Sequence, residues 1–99
     1  MKEITTKELA EKLKKGEKLH MIDVRENEEV IQGMVPGARH IPLGELPNRL
    51  SELDKEKHYH MICRSGGRSG KACTFLKKHG YDVTNISGGM LDWEDAVEK

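Results

Sequence analysis

Tyr59-His60-Met61-Ile62-Cys63-Arg64-Ser65-Gly66-Gly67-Arg68-Ser69 is the stretch on which the fold turns. Its first five residues read as a buried strand, which stops abruptly where arginine, serine and glycine take over. Beyond it, Ala72, Cys73 and Leu76 fall on one helical face of a helix starting at about Ser69, and Gly80 ends that helix. A strand entering a helix through so short a glycine turn is the central piece of a βαβ unit.

The pattern repeats outward from there. Downstream, Tyr81 to Ile86 predicts another strand and Gly88-Gly89 a turn, while Met90, Trp93 and Val97, at i, i+3 and i+7, form the apolar stripe of a last helix that takes Trp93 into the core. Upstream, Leu46, Leu50 and Leu53 predict a short helix over about residues 45–53. A brief extended piece from Ile41 to Pro42 precedes it, after the break at Gly33-Met34-Val35-Pro36-Gly37. Leu19 to Val24 reads as a strand feeding a short helix that carries Glu26, Glu28 and Glu29. At the start, Thr6 is expected to cap a helix over about residues 7–15, with Leu9, Ala10 and Leu13 inward and Gly16 as its C-terminal stop. Short apolar strands alternating with helices predict an α/β fold: a central, mostly parallel sheet with helices on both faces. Ligands of such sheets bind beyond the carboxyl ends of the strands, where the residues after Ile62 must lie.

A chain of 99 residues is expected to make one domain, residues 1–99. With one Phe, one Trp and two Tyr, its core must come mainly from nine Leu, six Ile, five Val and five Met. Seventeen basic and seventeen acidic residues cancel, which removes the electrostatic footprint of a nucleic-acid or anionic-membrane binder. The N-terminal residues hold no apolar leader and no run is long enough to span a bilayer, so the cytoplasm is the expected compartment. Two cysteines are too few for a disulfide scaffold, and each needs its own explanation. No repeat or low-complexity linker suggests a second unit.

The chemistry concentrates in Cys63-Arg64-Ser65-Gly66-Gly67-Arg68. A thiol at a strand end, followed by glycines and a helix start, faces converging backbone N–H groups and the positive end of the helix dipole. Both favour an anion, which here is a thiolate. Thiols in such surroundings have pKa values of ~3.5–7.5 in place of ~8.5, so Cys63 is the expected nucleophile. The other reactive side chains read as structural. Cys73 lies on the apolar helix face, and nine residues between the cysteines make no dithiol motif. His58 and His60 share one side of a strand but have no recognisable third ligand, so no metal site is expected. Asp23, at a strand's carboxyl end, is expected to anchor neighbouring backbone or Arg25.

The chain resembles the rhodanese family of sulfurtransferases from about Ile4 to Ala96. Asp23-Val24-Arg25 with Glu29 looks like the first family motif, and Gly33 to Ala38 with Ile41-Pro42-Leu43 like the second. Cys63 to Ser69 is similar to the active-site loop, and Gly88-Gly89 with Trp93 to the closing motif. Met34 stands where the family usually has His, and Val30 where an aromatic is common; both read as packing changes. The resemblance implies a single rhodanese domain without metal or organic cofactor. It implies transfer of a sulfane sulfur from thiosulfate or a persulfide to cyanide or a thiol, a protein thiol included, through a persulfide on Cys63. In that reading the amides from Arg64 through Ser65, Gly66 and Gly67 to Arg68 hold the persulfide, and Arg64, Arg68 and Lys71 attract a small anionic donor. A monomer with neither nucleic-acid nor membrane partner is expected.

Two alternatives stand beside this. A cysteine phosphatase or arsenate reductase also opens a helix with a Cys…Arg loop, but with five intervening residues where this chain has four. A non-catalytic rhodanese-like binding module would have no use for Cys63.

Overall fold

Five strands, one more than the apolar pattern yields, line up in the order β1-β5-β4-β2-β3, and every pairing is parallel. The computed structural model describes residues 1–99. The unforeseen strand is β1 (Lys2–Thr5), which pairs with β5 (Asp82–Ser87) at one edge of the sheet. Only Ile4 of β1 is drawn inward and its neighbours face solvent, so no apolar alternation marks it.

Thr5, rather than Thr6, caps α1 (Thr6–Lys14). Its hydroxyl accepts from the Glu8 N–H at 3.1 Å and the Glu8 carboxylate accepts from the Thr5 N–H at 3.0 Å, a reciprocal capping box. Thr6 is the first helical residue, and its hydroxyl donates to the Asp92 carbonyl. β2 (His20–Asp23), β4 (His58–Ile62) and α3 (Gly67–Lys78) fall close to their expected bounds. A short α2 (Asn27–Val30) follows β2. The extended piece near Pro42 is Arg39–His40, which forms β3 just before Ile41 rather than from it.

Two helices differ from expectation. The leucine-spaced segment is a 3-10 run, Leu43–Glu52, because Pro47 cannot donate an N–H and Arg49 leaves helical geometry at φ −122°, ψ 17°. The last helix, α4 (Gly89–Asp92), ends before Trp93, which is extended at ψ 119°. Trp93 is half-buried at the margin of the core, and its indole N–H donates to the Ala96 carbonyl. Val97 leaves the helical stripe, remains 42% exposed, and lies against Gly33 beside a two-residue bridge between Met34 and Glu98.

Alternation along the strands feeds two apolar layers. Ile22, Tyr59, Met61 and Val83 face Ala72, Cys73 and Leu76 of α3 and Leu46 of the 3-10 run. Met21, Ile62 and Ile86 face Leu9 of α1. A fully buried leucine such as Leu9, Leu46 or Leu76 contributes ~1.5–3 kcal/mol. After β2 the chain moves outward to β3, whereas after β4 it moves toward β5 on the opposite side. The crevice between the carboxyl ends of β2 and β4 is therefore the topological switch point, where sheets of this class bind ligands. No helix is long and apolar enough to cross a membrane.

Candidate active site

Cys63 is the first residue beyond β4, and its side chain belongs to the α3 layer, leaving the residue 1% exposed. The chain then reverses in three residues and enters α3 through Gly66, whose φ of +103° and ψ of −11° are left-handed. A side chain there would be strained by that φ, although a Cβ would meet its surroundings only at ordinary contact distance. No side chain caps α3. Instead its N-terminal donors turn toward the sulfur: the Gly66 N–H donates to Sγ at 3.1 Å and the Ser69 hydroxyl at 3.3 Å. Burial alone would push the Cys63 thiol up. The Ser69 hydroxyl and the N–H groups of Ser69, Gly66 and Ser65 outweigh that, so its pKa lies below the ordinary thiol value.

The loop is held on three sides. From α4, the Met90 N–H donates to the Cys63 carbonyl and the Leu91 N–H to the Arg64 carbonyl, both at 2.9 Å. This close approach needs Gly89, because a Cβ at that position would overlap the same two carbonyls. From β5, the Asn85 amide donates to the Gly66 carbonyl at 3.2 Å. From α2, Glu29 accepts both terminal nitrogens of Arg68 at 2.6 and 2.7 Å. That pairing, with burial opposing it, holds the Glu29 carboxyl down at about 2.

The two arginines therefore differ. Arg68 is bound to Glu29 and braces the loop, while Arg64 stands exposed with its charge turned to solvent, as does Lys71. Nor are the two glycines equivalent: Gly67 is helical, has ordinary φ, and a Cβ there meets nothing within 4 Å. Ser65 is exposed at the bend and reaches the sulfur only through its N–H. Asp23 anchors the neighbouring layer, fully buried, with its carboxylate accepting from the Arg25 guanidinium and backbone N–H. Arg25 in turn donates to the Gly33 carbonyl at 2.7 Å, tying the segment around Met34 to the strand ends. The site turns Ser69, the last residue of the loop motif, onto the sulfur, adds Asn85, which neither spacing nor motif placed in it, and joins Glu29 to Arg68 across 39 residues. Ser69 carries a readable signal, since a hydroxyl in the first turn of a helix that starts beside the thiol must face the helix mouth.

The remaining candidates lie elsewhere. Burial pushes the Cys73 thiol up to about 12, so this cysteine is a poor nucleophile despite a surface hollow of about 460 Å³ beside it and Tyr81. His58 bonds Thr84 at 2.7 Å and Asp82 at 2.6 Å, and His60 stacks edge-on against it at the amino end of the sheet. No group of three or more His, Cys, Asp or Glu side chains gathers as metal ligands would.

Residues 5–96 match the Rhodanese-like domain. A Bacillus subtilis (strain 168) protein, YtwF, provisionally named a sulfurtransferase, is 49% identical over 94 residues, which cover 95% of this chain and 91% of that protein. A protein of Allochromatium vinosum named Sulfurtransferase is 38% identical over 92 residues, covering 92% of this chain and 86% of the relative. Among solved structures, SSP1007 from Staphylococcus saprophyticus superposes over 100% of both chains with a TM-score of 0.96 at 33% identity.

Proposed function

Because the chain belongs to the rhodanese-like domain family, with relatives named as sulfurtransferases, we propose that it moves a sulfane sulfur from thiosulfate or a persulfide to cyanide or a thiol, with Cys63 as carrier. The observation that supports this most directly is the set of donors aimed at one sulfur atom, the Gly66 N–H at 3.1 Å and the Ser69 hydroxyl at 3.3 Å, at the mouth of α3. In the first half-reaction the Cys63 thiolate attacks the outer sulfur of thiosulfate. A new S–S bond forms, the old one breaks, and sulfite leaves with the electron pair. The outer sulfur of the resulting persulfide carries the negative charge and extends toward the loop amides, which stabilise an anion without needing to reorganise. In the second, cyanide attacks that outer sulfur and leaves as thiocyanate, and the pair returns to Cys63. A thiolate acceptor leaves as a persulfide by the same displacement.

Arg64, exposed and beside the loop, draws anionic donors inward, while Arg68 acts through the shape of the loop. Four residues between Cys63 and Arg68 close a ring sized for one sulfur atom, whereas a tetrahedral phosphate presents three further oxygens and needs a wider one. Intact-mass spectrometry after incubation with thiosulfate tests the proposal: the protein should gain one sulfur, and Cys63→Ser should gain none. Steady hydrolysis of an aryl phosphate that disappears in Cys63→Ser, without sulfur loading, would overturn it in favour of a cysteine phosphatase.

A further inference from the structure

Asn85 lies on β5, directly across from Glu3 of β1, and is 2% exposed. Its Nδ2 donates to the Glu3 carboxylate at 2.9 Å and to the Gly66 carbonyl at 3.2 Å. Its Oδ1 is buried and accepts nothing. Turning the amide over would set Oδ1 against those two acceptors, so the orientation is fixed and the orphaned oxygen is its consequence. A buried acceptor without a partner costs ~1–3 kcal/mol, and an aliphatic side chain, such as Val83 two residues earlier on the same layer, would avoid the cost altogether.

The helix does not need this contact, because the Gly66 carbonyl already accepts the Gly70 N–H at 3.1 Å, the first bond of α3. The second donor pins the peptide plane after Gly66 from the strand side. Gly66 is also the left-handed residue of the loop, and its own N–H points at the sulfur. Resting on the sulfur-transfer reading, we propose that Asn85 is a positioning residue: by holding the Gly66 carbonyl it aims the Gly66 N–H at Cys63 and at the persulfide formed there. Glu3 completes the clamp by occupying the second amide hydrogen, so an edge strand remote from the chemistry steadies the loop.

The test is alkylation of Cys63 by iodoacetamide across pH, read by intact mass, in the full chain and in Asn85→Leu, which is close to Asn in size. The variant should remain folded by circular dichroism, its alkylation profile should move to higher pH, and its rate near neutrality should fall roughly fivefold, as loss of a ~1 kcal/mol interaction requires. Thr84→Val is the comparison, since it deletes a hydrogen bond to His58 on the same strand and should leave the profile in place. Superposable profiles for folded Asn85→Leu and the unchanged protein would overturn the proposal while leaving sulfur loading by thiosulfate intact. Failure of the unchanged protein to load sulfur would instead undermine the reading on which the proposal rests. Should Asn85→Leu not fold, Asn85→Asp has the same shape and turns a carboxylate toward both acceptors; an unshifted profile in that variant overturns the proposal equally.

Discussion

Substituting Glu29 by Gln keeps the shape of the side chain and its acceptor for the Glu26 N–H, but removes the charge that Arg68 grips. The Glu29 carboxyl is held at about 2 in place of 4.5, and at 1.36 kcal/mol for each pH unit this corresponds to ~3 kcal/mol. Both partners remain partly wet, with side-chain exposures of 34% for Arg68 and 26% for Glu29, so solvent screening reduces the expected contribution to ~1–2 kcal/mol. Since the folded value lies below the unfolded one, the contribution is complete above 4.5 and is lost as pH falls toward about 2. Urea unfolding of the unchanged protein, Glu29→Gln, Arg68→Gln and the double variant, near pH 7 and near pH 3, gives the coupling energy directly. It should be ~1–2 kcal/mol at the higher pH, a loss of roughly 10 °C in Tm for Glu29→Gln, and less than half as large at the lower pH. Coupling below ~0.3 kcal/mol near neutrality, or equal at the two pH values, would refute the view that this pair braces the loop.

Other expectations separate roles within the site. Cys63→Ser should abolish cyanide-dependent sulfur transfer with its unfolding midpoint nearly unchanged, because the Gly66 N–H and the Ser69 hydroxyl are in place to bond the new hydroxyl, whereas Cys73→Ser should retain most activity and lose ~1–2 kcal/mol, because it puts a hydroxyl without such partners into an apolar layer. Gly67→Ala should fold with equal or slightly greater stability and Gly66→Ala should lose at least ~1 kcal/mol by urea unfolding, since only Gly66 is left-handed. Arg64→Ala should raise the KM for thiosulfate severalfold but not that for an uncharged persulfide donor, and the effect should shrink in high salt; equal effects on both donors would rule out charge attraction.

The loop from Cys63 to Arg68 was legible because its signals are local: a strand that stops, glycines, and a helix that starts. What sequence spacing missed is non-local or subtle. Glu29 meets Arg68 across the switch point, and Asn85 meets Gly66 from a neighbouring strand, where no short-range period operates. β1 hides because an edge strand with one inward residue reads as a polar tail. The cap was displaced by one residue because Thr5 and Thr6 are both competent, and the distinguishing mark was Glu8, three residues after Thr5. At the other end, Met90, Trp93 and Val97 fit a helical period, yet Trp93 turns extended and carries the chain across to Gly33 and Met34. Three matches over eight residues cannot distinguish the two paths.

The contacts that α4 and Asn85 make with the loop also set an order of events during folding. Cys63, its loop and α3 emerge from the ribosome before Asn85, Met90 and Leu91, so a nascent chain carries the nucleophile without its clamps. β1 must likewise wait for β5, its partner some 80 residues away, and closures of that span are slow because chain entropy is lost before contacts compensate. Until then the Ser69 hydroxyl and the amides of Ser65, Gly66 and Ser69, which lower the pKa of the thiol, sit in a loop that its outer clamps have not yet fixed. The geometry of the loop is thus a late product of folding, and in pulsed alkylation during refolding the pH dependence of Cys63 should become native only in the slowest phase; a native profile in the earliest pulse would contradict this.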